Sequence, residues 1–379
     1  MGKLQNTRRV NRIALLGYNE VNGDGFWNGV SRVIYNQTMM LRERGYEVIC
    51  HNFFTRDEYK NLNRFLIENK IDLAIWHMTT LKIKGRIHTP CPLICLWHNT
   101  PVAQLDIDVF CAKYKINAPI ARVLKTKAVR WLILKLKNLY TSIVYTYVTS
   151  RADKYVLLSE GFKSLFFPAK VFPKKVTAIP NFLSRQLVDV KVDIWEKKKE
   201  VLFVGRMDNA QKRIDLLLQV WKKIEEKYNI NDWILNICGG GPDAEMLKQM
   251  KEELGLQNVY FRGVVSPEEW YRTAPIFCMT SEFEGFGLVL TEAAAFSCVP
   301  MAFDSFEAVH DIITDKENGR LIKAFDVDAY AEALAELIEN KDYRMKLAEN
   351  AKRDVKKFGP DVVMDEWEKL FAEVLDKRK

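Results

Sequence analysis

Two carboxylates in the second half of the chain, Glu284 and Glu292, lie on either side of a short glycine-containing turn. The turn, Gly285-Phe286-Gly287, precedes an apolar run that predicts a helix from about Leu288 to Ser297. Glycines let backbone N–H groups approach a ligand closely, and the free N–H groups and dipole at a helix start attract phosphate. A carboxylate before the glycine turn can accept hydrogen bonds from sugar hydroxyls. A second carboxylate, in the first part of the helix, can accept hydrogen bonds from a ribose. The spacing therefore suits a nucleotide-sugar whose diphosphate lies over the helix start.

Two cations follow a predicted strand earlier in the same half. The strand Val201–Val204 ends in Gly205-Arg206, and Lys212 follows in the loop before the next predicted helix. Open α/β sheets bind ligands at the carboxyl ends of their strands. There an arginine fork and a lysine point charge can neutralise a diphosphate. The alternative is a solvated strand-end arginine and an exposed loop lysine, but their occurrence together with Glu284 and Glu292 favours binding.

The other predicted donor contacts lie at strand-to-helix turns, where the backbone can approach a nucleotide. A turn of three glycines, Gly239-Gly240-Gly241, follows one predicted strand, Val265 follows another, and Gly29 lies just before the first predicted helix, Ser31–Arg44. Each of these is also compatible with an ordinary turn or surface loop. The loop around Gly29 does not have the spacing G-x-G-x-x-G, so a dinucleotide site is not supported there. The predicted donor-binding set is Gly29, Gly240, Val265, Phe286, Gly287, Leu288 and Glu292.

A histidine, His98, lies at the end of a predicted strand in the first half. A neutral imidazole there can hydrogen-bond a sugar hydroxyl or stabilise developing charge; the alternative is a structural strand-end histidine. Asp106 and Asp108 form an acidic pair of a kind that can hold a divalent metal, but such pairs are frequent by chance. We therefore expect no metal and no cofactor. The predicted catalytic set is Arg206, Lys212, Glu284 and His98.

Strand-like and helix-like patterns alternate along the whole chain, which predicts parallel sheets covered by helices. Two series of this alternation predict an α/β architecture of two Rossmann-like domains whose sheets face each other across a cleft. We place the first domain at 1–185, a charged linker at 186–200, the second domain at 201–360 and a helix that packs back onto the first domain at 361–379. The predicted strands are Ile13–Leu16, Tyr46–Cys50, Leu73–Trp76, Leu93–Trp97, Lys154–Leu158, Val176–Ile179, Val201–Val204, Trp233–Cys238, Val259–Arg262, Ile276–Met279 and Val299–Phe303.

The composition of the 379 residues is that of a globular protein, with 48% hydrophobic and 28% charged residues. No run approaches the ~20 apolar residues that span a bilayer, and the first residues lack the apolar core of a signal peptide. We therefore expect a cytoplasmic protein, and we expect its seven scattered cysteines to be buried and reduced. The net charge of +8 is divided, with 28 Lys and Arg against 12 Asp and Glu over residues 1–180. This basic first half indicates an anionic partner.

The basic character is concentrated in residues 109–152, which contain no Asp or Glu. Basic residues there alternate with aromatic and aliphatic ones, which is typical of a helix that lies on an anionic membrane. The alternative is a core helix with a solvated basic face; single-stranded nucleic acid is chemically possible but has no other support, so we expect no nucleic acid partner. The predicted membrane contacts are Arg122, Lys125, Lys127, Arg130, Trp131, Lys135 and Lys137.

With these residues placed, the second half resembles the donor domain of the retaining glycosyltransferases of family 4 (group 1), which have the GT-B fold. The resemblance covers most of residues 200–325, and in the first half it is thinner: Asn28-Gly29 stands where the family has Gly-Gly. The matching residues are Gly205-Arg206, Lys212, Gly239-Gly240-Gly241-Pro242, Glu284-Gly285-Phe286-Gly287-Leu288, Glu292, Pro300 and Asn318-Gly319, with Ser159 and Ile179-Pro180-Asn181 in the first half.

The resemblance implies that Arg206 and Lys212 bind the donor diphosphate, that Glu284 holds the transferred sugar and that Glu292 binds the ribose. It also implies that His98 contacts the sugar, and that transfer proceeds with retention and without metal. We therefore predict a glycosyltransferase, peripheral on the inner face of the cell membrane, that extends a glycan or lipid-linked acceptor in cell-surface polysaccharide or lipopolysaccharide biosynthesis. The alternatives are a sugar-nucleotide epimerase of similar fold and a non-catalytic sugar- or lipid-binding homologue.

Overall fold

The computed structural model describes residues 10–17, 29–52, 56–78, 87–102, 118–124 and 126–377. The chain divides into two compact units, one formed by Met1–Pro180 with Met364–Lys379 and the other by Asn181–Val363. Each unit contains a six-stranded sheet in which every described strand pair is parallel. The predicted α/β architecture with two Rossmann-like units is confirmed.

The sheet of the first unit has the strand order β2-β1-β3-β4-β5-β6. Strands β3 and β4 lie at its centre and are buried along their whole length, because helices cover both faces of a parallel sheet. The strands are β1 (Arg12–Leu16), β2 (Glu47–His51), β3 (Leu73–Met78), β4 (Leu93–Trp97), β5 (Lys154–Leu157) and β6 (Val176–Ala178). The helices are α1 (Gly29–Glu43), α2 (Arg56–Glu68), α3 (Ala118–Leu124), α4 (Lys127–Arg151), α5 (Phe162–Leu165) and α6 (Phe167–Val171).

The sheet of the second unit has the order β12-β11-β10-β7-β8-β9. The chain leaves β7 toward one edge and returns at β10 toward the other, so a topological switch point lies between these two strands. The strands are β7 (Glu200–Val204), β8 (Ile234–Cys238), β9 (Val259–Gly263), β10 (Ile276–Met279), β11 (Val299–Asp304) and β12 (Arg320–Lys323). The helices are α7 (Asn209–Lys212), α8 (Ile214–Glu226), α9 (Ala244–Glu253), α10 (Glu268–Thr273), α11 (Leu288–Ala295), α12 (Val309–Ile312), α13 (Val327–Glu339) and α14 (Lys341–Asp354).

Helix α8 shows how sequence periodicity builds the core of the second unit. Its apolar residues recur at three- and four-residue spacing, which places them on one face of a helix. Leu217, Trp221 and Ile224 are fully buried on that face, in the same cluster as the apolar side chains of β7 and β8. Burying a large apolar side chain contributes about 1.5–3 kcal/mol, so this face fixes the helix against the sheet.

The last helix, α15 (Pro360–Asp376), carries acidic residues that contact the first unit. Arg44 donates to Asp365 at 2.6 Å and to Glu368 at 2.7 Å, and Tyr46 donates to Glu368 at 2.9 Å. Lys154 lies 2.8 Å from a further carboxylate of the same helix, that of Glu373. The contacts join the C-terminal part of the chain to the turn before β2 and to β5 of the first unit.

The stretch over 186–200, predicted as a linker, packs on the second unit. The Nζ atom of Lys197 donates to the carbonyls of Tyr271 and Ala274 at 3.0 and 2.7 Å, and the backbone of Val190 accepts from Lys352 at 2.8 Å. Burial lowers the pKa of the Lys197 ammonium, which retains its hydrogen bonds to carbonyl oxygens. The stretch resembles a linker in sequence because it is charged, but Lys197 forms hydrogen bonds inside the second unit.

Six of the seven cysteines lie in the described part of the chain, and all six are free thiols, five of them buried. Burial raises the pKa of Cys278 to about 12, which keeps this thiol protonated and inert. The expectation of buried reduced cysteines is confirmed for the five buried thiols, whereas Cys50 is only partly buried. Within the described residues, no helix combines the length and apolar content required to cross a bilayer.

Candidate functional site

The switch point of the second unit brings together two loops that are far apart in sequence. Residues 205–213 follow β7 and residues 280–287 follow β10, and both loops leave the carboxyl edge of the sheet. The backbone N–H of Glu282 donates to the carbonyl of Gln211 at 2.7 Å, and the hydroxyl of Thr280 donates to the carbonyl of Lys212 at 3.0 Å. These hydrogen bonds fix the relative positions of the predicted cations and of the first predicted carboxylate.

Lys212 and Glu284 form an ion pair at this edge. The ammonium of Lys212 donates to Oε1 of Glu284, and both side chains are mostly buried, with exposed fractions of 15% and 11%. The hydroxyl of Ser281 donates to the same oxygen at 2.7 Å, and Gln211 lies 3.5 Å from Oε2. Lys212 is the last residue of the short helix α7, whereas the sequence analysis placed it in a loop. A single helical turn of four residues is too short for periodicity to reveal.

The other predicted cation, Arg206, follows Gly205 at the end of β7, and its side chain is exposed. Within the described residues its guanidinium makes no ion pair. Gly205 also lies beside Lys212, because a Cβ built on Gly205 would be 3.7 Å from Cε of Lys212. At this edge of the sheet, Glu284 neutralises the charge of Lys212, whereas the guanidinium of Arg206 is exposed and available to a ligand.

Arg213 holds the turn that carries Lys212. It adopts a left-handed backbone conformation with φ +46°, which non-glycine residues rarely adopt. Its guanidinium contacts Asp215 at 3.1 Å and Glu282 at 3.0 Å, and these carboxylates raise its pKa against the opposing effect of burial. The ion pair with Glu282 joins the loop after β7 to the loop after β10 and keeps Lys212 beside Glu284.

The three-glycine turn packs directly against the loop after β7. A Cβ on Gly239 would lie 1.9 Å from the carbonyl oxygen of Gly205, and one on Gly241 would lie 2.4 Å from that of Met207. Gly239 also has φ +138°, a conformation that favours glycine. Between them, Gly240 lies against the loop that contains Val265, since a Cβ there would be 2.9 Å from a methyl carbon of Val264. The glycines therefore allow three strand-end loops to lie side by side.

Helix α11 begins at the predicted place. Gly287 has φ +96° and precedes Leu288, the first helical residue, while Phe286 is buried and packs edge-on against Phe358 at 5.3 Å between ring centroids. One turn into the helix, Glu292 is buried and accepts a hydrogen bond from the Tyr271 hydroxyl at 3.3 Å. The predicted phosphate-binding helix start and the predicted ribose carboxylate thus belong to one rigid element.

Asn318, Gly319 and Pro300 have a structural role behind this helix. Asn318 accepts from the N–H of Thr314 at 2.8 Å and donates to Asp354 at 3.1 Å, and Gly319 leaves room for the carbonyl of Pro300. None of these contacts involves a residue of the predicted donor set. These three positions, which match the family motifs, therefore stabilise loops of the second unit.

In the first unit, His98 follows β4 and is buried beside His77 of β3. Its Nε2 atom lies 2.8 Å from Nδ1 of His77, and the rings stack with their centroids 5.1 Å apart. Burial lowers the pKa of His98 to about 3 and also lowers the pKa of His77 well below its usual value. His98 is therefore a neutral hydrogen-bonding group, as the sequence analysis expected.

Gly29 is the first residue of α1 and is exposed, with no protein atom within 4 Å of a Cβ built on it. A side chain would therefore fit here, so packing does not require glycine at this position. Asp106, Asp108 and Lys125 lie outside the described residues, and the expectation that Asp106 and Asp108 hold no metal stays a prediction.

A comparison with known protein families gives a match within the second unit. Residues 184–354 match the family model described as glycosyl transferases group 1. The matched residues lie within the second unit, Asn181–Val363. The resemblance to group 1 glycosyltransferases is thus confirmed for the unit that carries Lys212, Glu284 and Glu292.

Two curated proteins that match part of this chain are named as glycosyltransferases. An uncharacterized glycosyltransferase of Haemophilus influenzae is 28% identical over 60% of this chain and 63% of its own length. A Campylobacter jejuni alpha-1,4-N-acetyl-D-galactosaminyltransferase, named for a PP-undecaprenol-linked substrate, is 28% identical over 48% of this chain and 50% of its own. The aligned regions thus span half to just under two thirds of these curated relatives.

A solved structure shares the fold along nearly the entire chain. The Anabaena protein HepE, solved in complex with UDP and glucose, aligns with a TM-score of 0.69 at 14% sequence identity, and the alignment covers 96% of this chain and all of HepE. At this identity the likeness shows the fold alone. The predicted GT-B architecture is therefore confirmed.

Sequence reasoning missed several residues that complete the site of the group 1 domain. Ser281 and Gln211 bind the carboxylate of Glu284, Tyr271 binds Glu292, and Arg213 joins the two loops. Ser281 stands three residues before Glu284, so its proximity was a usable signal. Tyr271 and Arg213 gave no signal, because their contacts depend on the fold.

Proposed function

We propose that this chain is a retaining glycosyltransferase that moves a sugar from a nucleotide-diphosphate donor to a glycan or lipid-linked acceptor. The single observation that carries the proposal is the pairing of Lys212 with Glu284 at the switch point of a group 1 domain. Open α/β sheets bind nucleotides at that point. The Campylobacter relative and the UDP complex of HepE support this class of acceptor and of donor.

In the proposed complex, the diphosphate lies over the start of α11 and against Arg206 and Lys212. Negative charge on the leaving diphosphate rises in the transition state, and preorganised cations and helix N–H groups stabilise it most at that moment. Glu284 holds hydroxyls of the transferred sugar and Glu292 those of the ribose. Gly240 and Val265, on adjoining loops, offer backbone atoms to the nucleotide.

The ion pair also explains how the site is kept ready before the donor binds. Without donor, Glu284 neutralises Lys212, so that neither charge is buried alone. A bound diphosphate supplies Lys212 with another anion, and sugar hydroxyls supply Glu284 with other donors. The exchange replaces one set of charge-assisted hydrogen bonds with another, with little movement of the backbone.

Retention without an enzyme nucleophile fits this geometry. In a front-face step, the bond from the anomeric carbon to the phosphate oxygen breaks while the bond to the acceptor oxygen forms on the same face, and the acceptor proton passes to the leaving phosphate. Glu284 is poorly suited as a nucleophile, because its Oε1 accepts from both Lys212 and Ser281. We propose that the reaction proceeds this way without metal, in cell-surface polysaccharide or lipopolysaccharide biosynthesis.

The test is incubation of the purified chain with radiolabelled UDP-, GDP- and ADP-sugars, with and without a membrane extract that contains lipid-linked glycans. We expect label to move into the lipid-extractable or polymeric fraction from one donor, with the anomeric configuration kept. Conversion of the donor sugar without an acceptor would identify an epimerase instead. A thermal shift with a nucleotide-sugar but no turnover would identify a non-catalytic binding protein.

We further propose that the chain acts at an anionic membrane surface through helix α4. The residues Leu132, Leu136, Leu139, Tyr140 and Ile143 are each 51–62% exposed. They recur at spacings of four, three, one and three residues, which places them on one face of the helix. The residues of α4 that are buried, Tyr145, Val148 and Thr149, lie on its other side. This exposed face, the α4 stripe, is the largest set of exposed apolar side chains on a described helix.

Charge indicates which partner covers the α4 stripe. Arg130, Trp131, Lys135 and Lys137 surround it and are exposed, as are Arg122 on α3 and Lys127 at the start of α4. Lys135 also lies 5.1 Å from the ring centroid of Trp131. Exposed lysines and arginines beside an apolar stripe suit a bilayer with anionic headgroups, each contributing about 1 kcal/mol near the surface. The basic residues are evident from the sequence, and the structure adds the apolar residues that would insert.

Flotation with vesicles tests this part of the proposal. We expect the chain to float with phosphatidylglycerol-containing vesicles and to bind neutral vesicles at least tenfold less. Leu136→Glu with Leu139→Glu should abolish flotation, because two charges would enter the apolar boundary. The matched control is Ile67→Glu, an equally exposed apolar residue on α2. A stripe variant that still floats would refute the assignment, and dimers dispersed by the same variant would show that a second copy covers the stripe.

A further inference from the structure

The pairing of His77 with His98 is a feature that the proposed mechanism does not use. The two residues come from adjacent central strands of the first unit, because β3 and β4 pair with His77 opposite Leu96 and Met78 opposite Trp97. His98 is thus the first residue beyond the paired part of β4. Its backbone N–H donates to the carbonyl of Met78 at 3.1 Å, which holds it against the end of β3.

The ring nitrogens of this pair differ in whether they have a hydrogen-bond partner. Nδ1 of His77 and Nε2 of His98 are 2.8 Å apart, a hydrogen-bond distance. Nε2 of His77 is buried and has no hydrogen-bond partner. Within the described residues, no hydrogen bond to Nδ1 of His98 is present either. The pair therefore offers one ring nitrogen, Nδ1 of His98, to a ligand at the edge of the sheet.

Two neutral imidazoles can form this hydrogen bond in only two ways. If Nε2 of His98 carries the hydrogen, it donates to His77, which then has its own hydrogen on the buried Nε2 without a partner. If Nδ1 of His77 carries the hydrogen, it donates to His98, and the buried Nε2 of His77 is an unprotonated acceptor. Orphaned buried N–H donors are rarer in proteins than under-used acceptors, which favours the second arrangement.

We infer that His77 is a positioning residue that fixes His98 as the Nδ1–H tautomer and directs this N–H toward the substrate. The inference rests on the proposed function together with the contact between His98 and the sugar that the family resemblance implies. A free neutral histidine prefers its hydrogen on Nε2, so without His77 the other nitrogen of His98 would carry it. The substrate group that His98 meets must then accept a hydrogen bond, as a sugar hydroxyl or carbonyl oxygen does.

Substitution of His77 distinguishes a positioning role from simple packing. In an asparagine, the side-chain amide nitrogen takes nearly the place of Nδ1, whereas in a glutamine it takes that of Nε2. We expect His77→Asn to keep kcat/KM for transfer within about threefold of wild type, while His77→Gln and His77→Phe lower it at least tenfold. Equal activity of the Asn and Phe variants, both folded by circular dichroism, would overturn the inference.

The tautomer is measured without any turnover. The chain has five histidines, so the ring nitrogens of an ¹⁵N-histidine-labelled sample can be assigned from single His→Asn variants. We expect the hydrogen of His98 on Nδ1 throughout pH 6 to 8, and on Nε2 in His77→Phe. A hydrogen on Nε2 of His98 in the wild-type chain would refute the inference.

The two measurements separate this inference from the proposed function. If no donor gives transfer but His98 carries its hydrogen on Nδ1, the proposed function fails and the tautomer assignment stands as a structural property. If transfer occurs and the hydrogen is on Nε2, the inference fails and the proposed function stands.

Discussion

Lys212→Ala is expected to lower kcat for sugar transfer by about 10²- to 10³-fold, the usual loss on removing one preorganised stabilising group from a transition state. The lysine is mostly buried and held in place by the carboxylate of Glu284, so water cannot replace its charge efficiently. Its loss should affect kcat more than KM, because charge on the diphosphate is greatest as the glycosidic bond breaks. Steady-state kinetics with the donor identified in the panel would measure both constants.

The fold should survive this substitution. Glu284 keeps its hydrogen bond from Ser281 at 2.7 Å, so we expect a loss in the free energy of unfolding of about 1–3 kcal/mol. Lys222→Ala is the matched control, since Lys222 pairs with Glu226 on an exposed face of α8 and should leave kcat unchanged. Turnover of Lys212→Ala near the wild-type value would remove Lys212 from the mechanism.

The stability of the first unit is expected to fall steeply between pH 6.5 and pH 5. His77 and His98 are buried and neutral, and burial lowers the pKa of His98 to about 3 and that of His77 also well below normal. The unfolded chain binds protons at both positions once the pH drops below about 6.5, whereas the folded chain does not. Stability is therefore full above pH 6.5 and is lost as the pH falls, by about 1.4 kcal/mol per pH unit for each histidine.

Urea unfolding, followed by the fluorescence of tryptophans in the first unit, measures this dependence between pH 7.5 and pH 5, above the range in which most carboxylates titrate. Replacing both histidines by asparagine should remove most of the slope. His88→Asn, at an exposed position of the same unit, leaves the buried pair intact and should retain the wild-type dependence. A flat profile in the wild-type chain would show that the pair accepts a proton in the folded state.

Local sequence patterns predicted much of the fold because each pattern reflects a nearby cause. All eleven predicted strands occur, since buried parallel strands are continuous apolar runs and turn residues bound them. Strand β12 was not predicted, because its apolar run is only Leu321-Ile322 between Arg320 and Lys323. Arg320 is nevertheless buried and pairs with Asp315 and Glu336. Helices α13 and α14 were also not predicted, although Asp326 and Asn340 cap their first turns.

By itself, the sequence determined which residues carry charge, where glycines permit a close backbone approach and where helix α11 begins. These properties depend on residue type and on spacing within a few positions. Only the tertiary structure decided that Lys212 neutralises Glu284, that Arg213 joins the two loops and that His77 meets His98. Those contacts connect residues 21 to 72 positions apart, and the order of strands in the sheets, which local spacing does not encode, sets which strand ends are neighbours.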